Sequence, residues 1–218
     1  GGVGQSYGNG VVWDFAADLR GACGSQYKVR VCANDGQSQV LEWNTTSGFT
    51  KDAAQIWAGA VCGTDNCVYF VGLNLSKIGY VDPAGGIASW LDAPSQAYED
   101  PAIAVHNSYI YCVGGEYTTD VKYALVNSDG MIATWQSTAS LARNAARAPL
   151  IAHGQHVYSI GGASGGYAWP ANVQVATIQS DGSLGQWSIS PSLLAYAHPT
   201  SAAVVYDGYL YVFGGGQH

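Results

Sequence analysis

Cysteine and histidine carry most of the side-chain chemistry open to this 218-residue chain, and their spacing narrows it. Cys62 and Cys67 are separated only by Gly-Thr-Asp-Asn, so a tight hairpin would set their Cα atoms opposite each other, within disulfide reach. Cys23 and Cys32 flank the turn into a further apolar stretch and form a second expected bridge. Cys112, inside an apolar run, reads as a small core residue. The C-x4-C and C-x8-C spacings lack the C-x2-C pairs and histidine partners of a zinc site, so no metal is expected. Among the histidines, His106, His153 and His156 fall at tight-turn positions and read as solvent-facing. His198 has Tyr196 near it but no acid–base partner in its own segment. No nucleophile, base and orienting group converge, so neither a catalytic residue nor a cofactor is expected.

Strands must position these residues, and the strands repeat. Four apolar-aromatic segments close on glycine: CVYFVGL from 67, YIYCVGG from 109, HVYSIGG from 156 and YLYVFGG from 209. Four others carry Asp and then Trp: DGQSQVLEW from 35, DPAGGIASW from 82, DGMIATW from 129 and DGSLGQW from 181. The two signals alternate, and successive tryptophans Trp43, Trp90, Trp135 and Trp187 lie 47, 45 and 52 residues apart. Each unit reads as four strands: a small-residue apolar strand, the aromatic strand, a third strand, and after an Asp-Gly turn the Trp strand. Asp-Gly between alternating apolar runs marks a hairpin, because glycine accepts the positive φ that the turn demands. No segment has helical periodicity, so the chain reads as all-β. The recurring tryptophans are expected in the core.

This spacing, with Gly-Gly after an aromatic strand and Trp about 25 residues further on, resembles the kelch repeat, a β-propeller blade. It is also similar to bacterial surface and secreted proteins built as strings of such blades. The resemblance implies a kelch-type β-propeller of four four-stranded blade repeats, at 1–72, 73–115, 116–162 and 163–215, with an inserted loop at 3–26. Gly72 is followed by Leu73 where the other units have a second glycine, a departure from the pattern. Gly1-Gly2 and Gly214-Gly215 fall at the same point of the unit. Kelch-type rings usually hold six or seven blades. The expectation is therefore a segment of a larger ring, or a ring completed by a partner chain, unless strands at 27–43 pair with those at 195–215.

In a propeller the loops from strand two to three and from four to one share one face. That face would collect Trp13, Phe15, Tyr98, Glu116, Tyr117, Arg143, Tyr167, Trp169 and Tyr196, with His198 at the ring mouth. Exposed aromatics on a rigid scaffold suit stacking on sugar rings or a protein hot spot. The starts of the first strands align Ile56, Asp100, Arg147 and Thr200, so Asp100 and Arg147 would form an ion pair between consecutive blades at the channel mouth.

Composition excludes other classes. With 15 acidic against 8 basic residues the net charge is −7, which argues against a nucleic-acid partner. No apolar run reaches the length of a membrane-spanning helix. Two disulfides, few lysines and the sequons at Asn44 and Asn74 point to an extracellular or cell-surface location. The expected function is non-catalytic: binding a glycan or protein at the loop face, or serving as a structural module assembled with further blades or copies of itself. The alternative is the propeller portion of a carbohydrate-active or galactose-oxidase-like enzyme whose catalytic residues lie elsewhere.

Overall fold

In the computed structural model the described residues are 6–7, 10–11, 58–62, 66–72, 75–83, 86–95, 98, 100–115, 117–163, 171–191 and 201–214. Among them the chain is all-β and divides into two compact units, Gly1–Trp43 and Asn44–His218. In the first unit β1 (Ser6–Tyr7) and β2 (Gly10–Val11) pair antiparallel, inside the segment expected as an insertion.

The second unit holds the repeats. One four-stranded sheet is β3 (Ala58–Cys62), β4 (Cys67–Gly72), β5 (Leu75–Val81) and β6 (Ile87–Asp92). The next is β7 (Ala102–His106), β8 (Tyr109–Gly115), β9 (Thr118–Leu125) and β10 (Gln136–Ser137). The third is β11 (Leu150–His153), β12 (His156–Ile160), β13 (Val173–Thr177) and β14 (Ser188–Ile189). The hairpin β15 (Ala202–Tyr206) and β16 (Tyr209–Phe213) stands for the fourth repeat among the described residues. Every sheet is an antiparallel meander of consecutive strands, as a four-stranded unit requires. Each four-stranded sheet spans one of the glycine positions at which the sequence repeats were divided.

Two-sided burial explains why the aromatic strands read as continuous apolar runs. On β8, Tyr111 and Val113 face the third sheet, with Val157, Ala176, Leu184 and Trp187 in the same core. Ile110 and Cys112 point the other way, toward Cys67, Tyr69, Val71 and Ile78 of the first sheet. Neighbouring sheets approach along their first strands, β3 to β7, β7 to β11 and β11 to β15. Small residues there, Ala102 and Ala104, permit the close approach.

The turns follow from local chemistry. Asn107 and Ser108, with φ of 47° and 62°, connect β7 to β8, and Asp207 and Gly208, at 49° and 77°, connect β15 to β16. Two consecutive positive φ values are the I′ geometry, whose twist matches that of the strands. Before the Trp strand, Asn127 N–H donates to Met131 O at 2.9 Å and Gln179 N–H to Ser183 O at 2.8 Å. Asp129 and Asp181 accept from the backbone two residues on, both at 3.0 Å, and Gly130 and Gly182 take φ of 80° and 82°. In the first sheet Asp82 N–H donates to Gly86 O at 2.8 Å, so Asp82 holds the position of Asn127, not that of Asp129.

These turns bind one repeat to the next. Tyr69 Oη donates to Gly130 O at 2.9 Å, and Tyr80 Oη to Asp129 O at 2.9 Å. A Cβ on Gly130 would stand 2.6 Å from Cys67 Sγ, and one on Gly182 would stand 2.3 Å from the Tyr109 ring. The tryptophans recur at one position as expected: Trp135 Nε1 donates to Pro94 O at 2.8 Å and Trp187 Nε1 to Ala139 O at 2.9 Å. Trp187 is core, whereas Trp90 and Trp135 are half-buried; Trp43 lies outside the described residues.

Two expectations are corrected. The register pairs Cys62 with Val68, one residue away from the Cys62–Cys67 alignment, and no disulfide forms among the described residues. The hairpin is one residue out of step with the symmetric loop assumed for Gly-Thr-Asp-Asn, and in a strand one residue changes the face. His106 is not simply a solvent-facing turn residue, because its Nε2 lies 2.8 Å from Gly154 O and ties the hairpin tips of adjacent sheets. On β16, Tyr209 and Phe213 are 68% and 55% exposed. Cys23, Cys32 and the strands expected at 27–43 lie outside the described residues.

Candidate functional site

The loop edge of the second and third sheets is set by backbone strain and one ion pair. Asp100 precedes β7 and Arg147 precedes β11, the same place in consecutive repeats, and their φ values are 53° and 57°. A left-handed conformation is tolerable for Asp and costly for Arg, so the surroundings must hold it. They do so through each other: Arg147 Nε donates to Asp100 Oδ2 at 2.6 Å, and the Arg147 backbone N–H approaches Asp100 O at 3.4 Å. The Asp100 side chain is 7% exposed and that of Arg147 40%, so a buried carboxylate is neutralised by a half-exposed guanidinium. This is the pair expected from the alignment of the first strands.

Arg143 is anchored by a residue that the sequence did not single out. Gln174 on β13 is 1% exposed, and its amide takes both backbone groups of Arg143. Arg143 N–H donates to Oε1 at 2.9 Å, and Nε2 donates to Arg143 O at 3.0 Å. The side chain of Arg143 is left outward on a fixed backbone. The only sequence signal was a glutamine at an inward position of an alternating strand, which needs an internal partner.

The aromatics of the expected loop face divide. Tyr117, in the β8–β9 connection, is 74% exposed and has a φ of 94°. Tyr98 is half-buried instead, its hydroxyl donating to Asp120 Oδ2 at 3.0 Å and its ring under Lys122 Nζ at 5.3 Å. Burial, then the Asp120 hydrogen bond, pushes the Tyr98 phenol up to about 12. Tyr98 thus belongs to the packing of the second sheet. Trp13, Phe15, Glu116, Tyr167, Trp169, Tyr196 and His198 lie outside the described residues, as do Ile56 and Thr200.

The Cys112 thiol is quiet. Cys112 is fully buried, and burial pushes its thiol up to about 12, with Lys122 opposing weakly. A thiol so shifted has little thiolate at pH 8. In the folded chain, N-ethylmaleimide at pH 8 should label Cys112 at least about a hundredfold more slowly than in urea, read by peptide mass spectrometry. Equal rates would show that the site opens readily.

Among the described residues no three of His, Cys, Asp and Glu come together as a metal site would require. No helix among them is long and apolar enough to cross a membrane. Comparison with protein-family models gives no match, and comparison with curated proteins gives none either.

Proposed function

We propose that this chain is a kelch-type β-propeller module without chemistry of its own, whose loop face binds a glycan or protein partner. The four-stranded sheets are its blades, in a ring larger than these repeats fill. The observation that carries the reading is Tyr117: a large aromatic ring, three-quarters exposed, on backbone held in the left-handed region. An aromatic so presented loses little conformational freedom on binding and offers a face for stacking or for a hot-spot contact. The pinned Arg143 and the Asp100–Arg147 pair supply fixed polar groups along the same edge of the sheets. Extracellular or cell-surface placement is part of the proposal. It rests on the lysine-poor composition and the two sequons, the Cys62–Cys67 bridge having dropped out.

A glycan array and a pull-down from surface extracts, run with wild type and Tyr117→Ala side by side, test the reading. Loss of an aromatic hot spot costs about 2 kcal/mol, so binding should weaken about thirtyfold. A ligand that binds both proteins equally well would remove Tyr117 from the site.

A further inference from the structure

Arg143 and Tyr117 are brought together by two backbone contacts that flank them. Leu141 N–H donates to Thr119 O at 2.8 Å, and a Cβ on Gly114 would stand 3.1 Å from Leu141 Cδ1 and 3.4 Å from Ala145 O. Tyr117 lies between Gly114 and Thr119 in the chain, and Arg143 lies between Leu141 and Ala145. Counted from the Thr119–Leu141 bond, each stands two residues further along antiparallel stretches, so the fold sets the two at neighbouring positions. Both are exposed, Tyr117 with its φ of 94°.

The buried Gln174 amide holds both backbone groups of Arg143, at 2.9 and 3.0 Å, and leaves the guanidinium its full set of donors. Among the described residues it forms no ion pair, whereas Arg147 is engaged by Asp100 and Lys122 sits over the Tyr98 ring. Asp120, the described acid of β9, alternates with Thr119 and Val121, and its carboxylate accepts from Tyr98 on the other face of the strand. A planar guanidinium takes a carboxylate through two parallel N–H···O bonds. A phenol ring beside it suits stacking on the C–H face of a pyranose. The other partly or fully exposed side chains nearby include Thr118, Thr119, Ser140 and Asn144, which are small and polar. A protein hot spot needs a packed, water-excluding surround, whereas a sugar brings hydroxyls that such polar neighbours meet. One fixed cation on a chain of net charge −7 suits a single negative charge, since a polyanion requires clustered cations.

We propose that Arg143 and Tyr117 form a site for an acidic saccharide, a pyranose that bears one carboxylate, as a uronate or sialate residue does. The carboxylate sits on the Arg143 guanidinium and the sugar ring on the Tyr117 phenol. The inference rests on the loop-face reading above and narrows its ligand. Gln174 is then a positioning residue, which holds the backbone that carries the guanidinium.

Ligand-detected NMR titration of the whole chain with oligosaccharides ending in glucuronate, galacturonate or sialate, each beside its methyl ester, tests the proposal. At least one acid should bind about tenfold tighter than its ester, the gain expected of charge-assisted over neutral hydrogen bonds. Arg143→Gln should erase that difference by weakening the acid alone. Arg143→Lys should restore part of it, because the charge returns without the fork. Tyr117→Ala should weaken acid and ester alike, and the far-ultraviolet dichroism of all three variants should match wild type. An acid bound no tighter than its ester overturns the proposal, as does an acid affinity that Arg143→Gln leaves intact. Preference for a glutamate-rich peptide over every saccharide would overturn it equally. A neutral glycan or a protein whose binding Tyr117→Ala weakens and Arg143→Gln does not would overturn the acidic site alone and leave the loop-face reading standing. Partners indifferent to both substitutions would remove that reading as well.

Discussion

Gly162→Ala is expected to lower the free energy of unfolding by about 3 kcal/mol or more. Gly162 has a φ of 93°, and an added Cβ would meet Ala145 Cα and Ala146 O at 3.0 Å and Ala148 Cβ at 2.9 Å. Two of those neighbours are backbone, so no side chain can swing away to make room. The Ala146–Ala163 bridge, with N–H to O distances of 2.9 and 2.8 Å, holds that backbone in place. Gly154→Ala separates the two causes, since Gly154 has a φ of 59° and nothing within 4 Å of an added Cβ. It should cost only the left-handed backbone term, about 1 kcal/mol. Urea titration of both variants checks the prediction, and equal losses would show that the contacts around Gly162 relax freely.

Arg147→Ala should destabilise by about 2 kcal/mol, because it leaves the buried Asp100 carboxylate without its guanidinium. The figure lies below that for a fully buried pair because the Arg147 side chain is 40% exposed and remains partly solvated. Arg147→Gly loses the same pair but relieves the left-handed backbone, so it should recover up to about 1 kcal/mol of that loss. The order wild type, Gly, Ala is the signature, measured by urea midpoints at fixed salt. If Ala and Gly matched wild type, the pair would be no more than a surface contact.

Much of this architecture was written in period and punctuation. The alternation of glycine-closed aromatic strands with Trp strands gave the meander, because burial on both faces and positive φ in the turns leave few residue choices. The Asp100–Arg147 pair was legible for the same reason, since repeats convert an offset in sequence into neighbourhood in space. What escaped were details set between repeats or by single-residue register. Cys62 faces Val68 because a hairpin can slip by one residue with no change in composition. Gln174 looked like a polar interruption of a strand, and only the fold shows the Arg143 backbone that satisfies it. His106 found its acceptor 48 residues away, on the tip of the neighbouring hairpin, where no local pattern points. Tyr98 and Tyr117 were equivalent as loop aromatics, and the presence of Asp120 and Lys122 beside one of them decided which ring is packed.

The covering of β4 and β8 by turns from the following repeats also has a direction in time. Tyr69 on β4 is sealed by Gly130, which a ribosome adds 61 residues later. At typical synthesis rates of about 5 to 20 residues per second, that interval is roughly 3 to 12 seconds. During it the newest repeat carries a bare tyrosine face while the earlier ones are already closed. Nascent chains would therefore present one sticky edge at a time, moving along the polypeptide as it emerges, and crowding on a polysome would set such edges against one another.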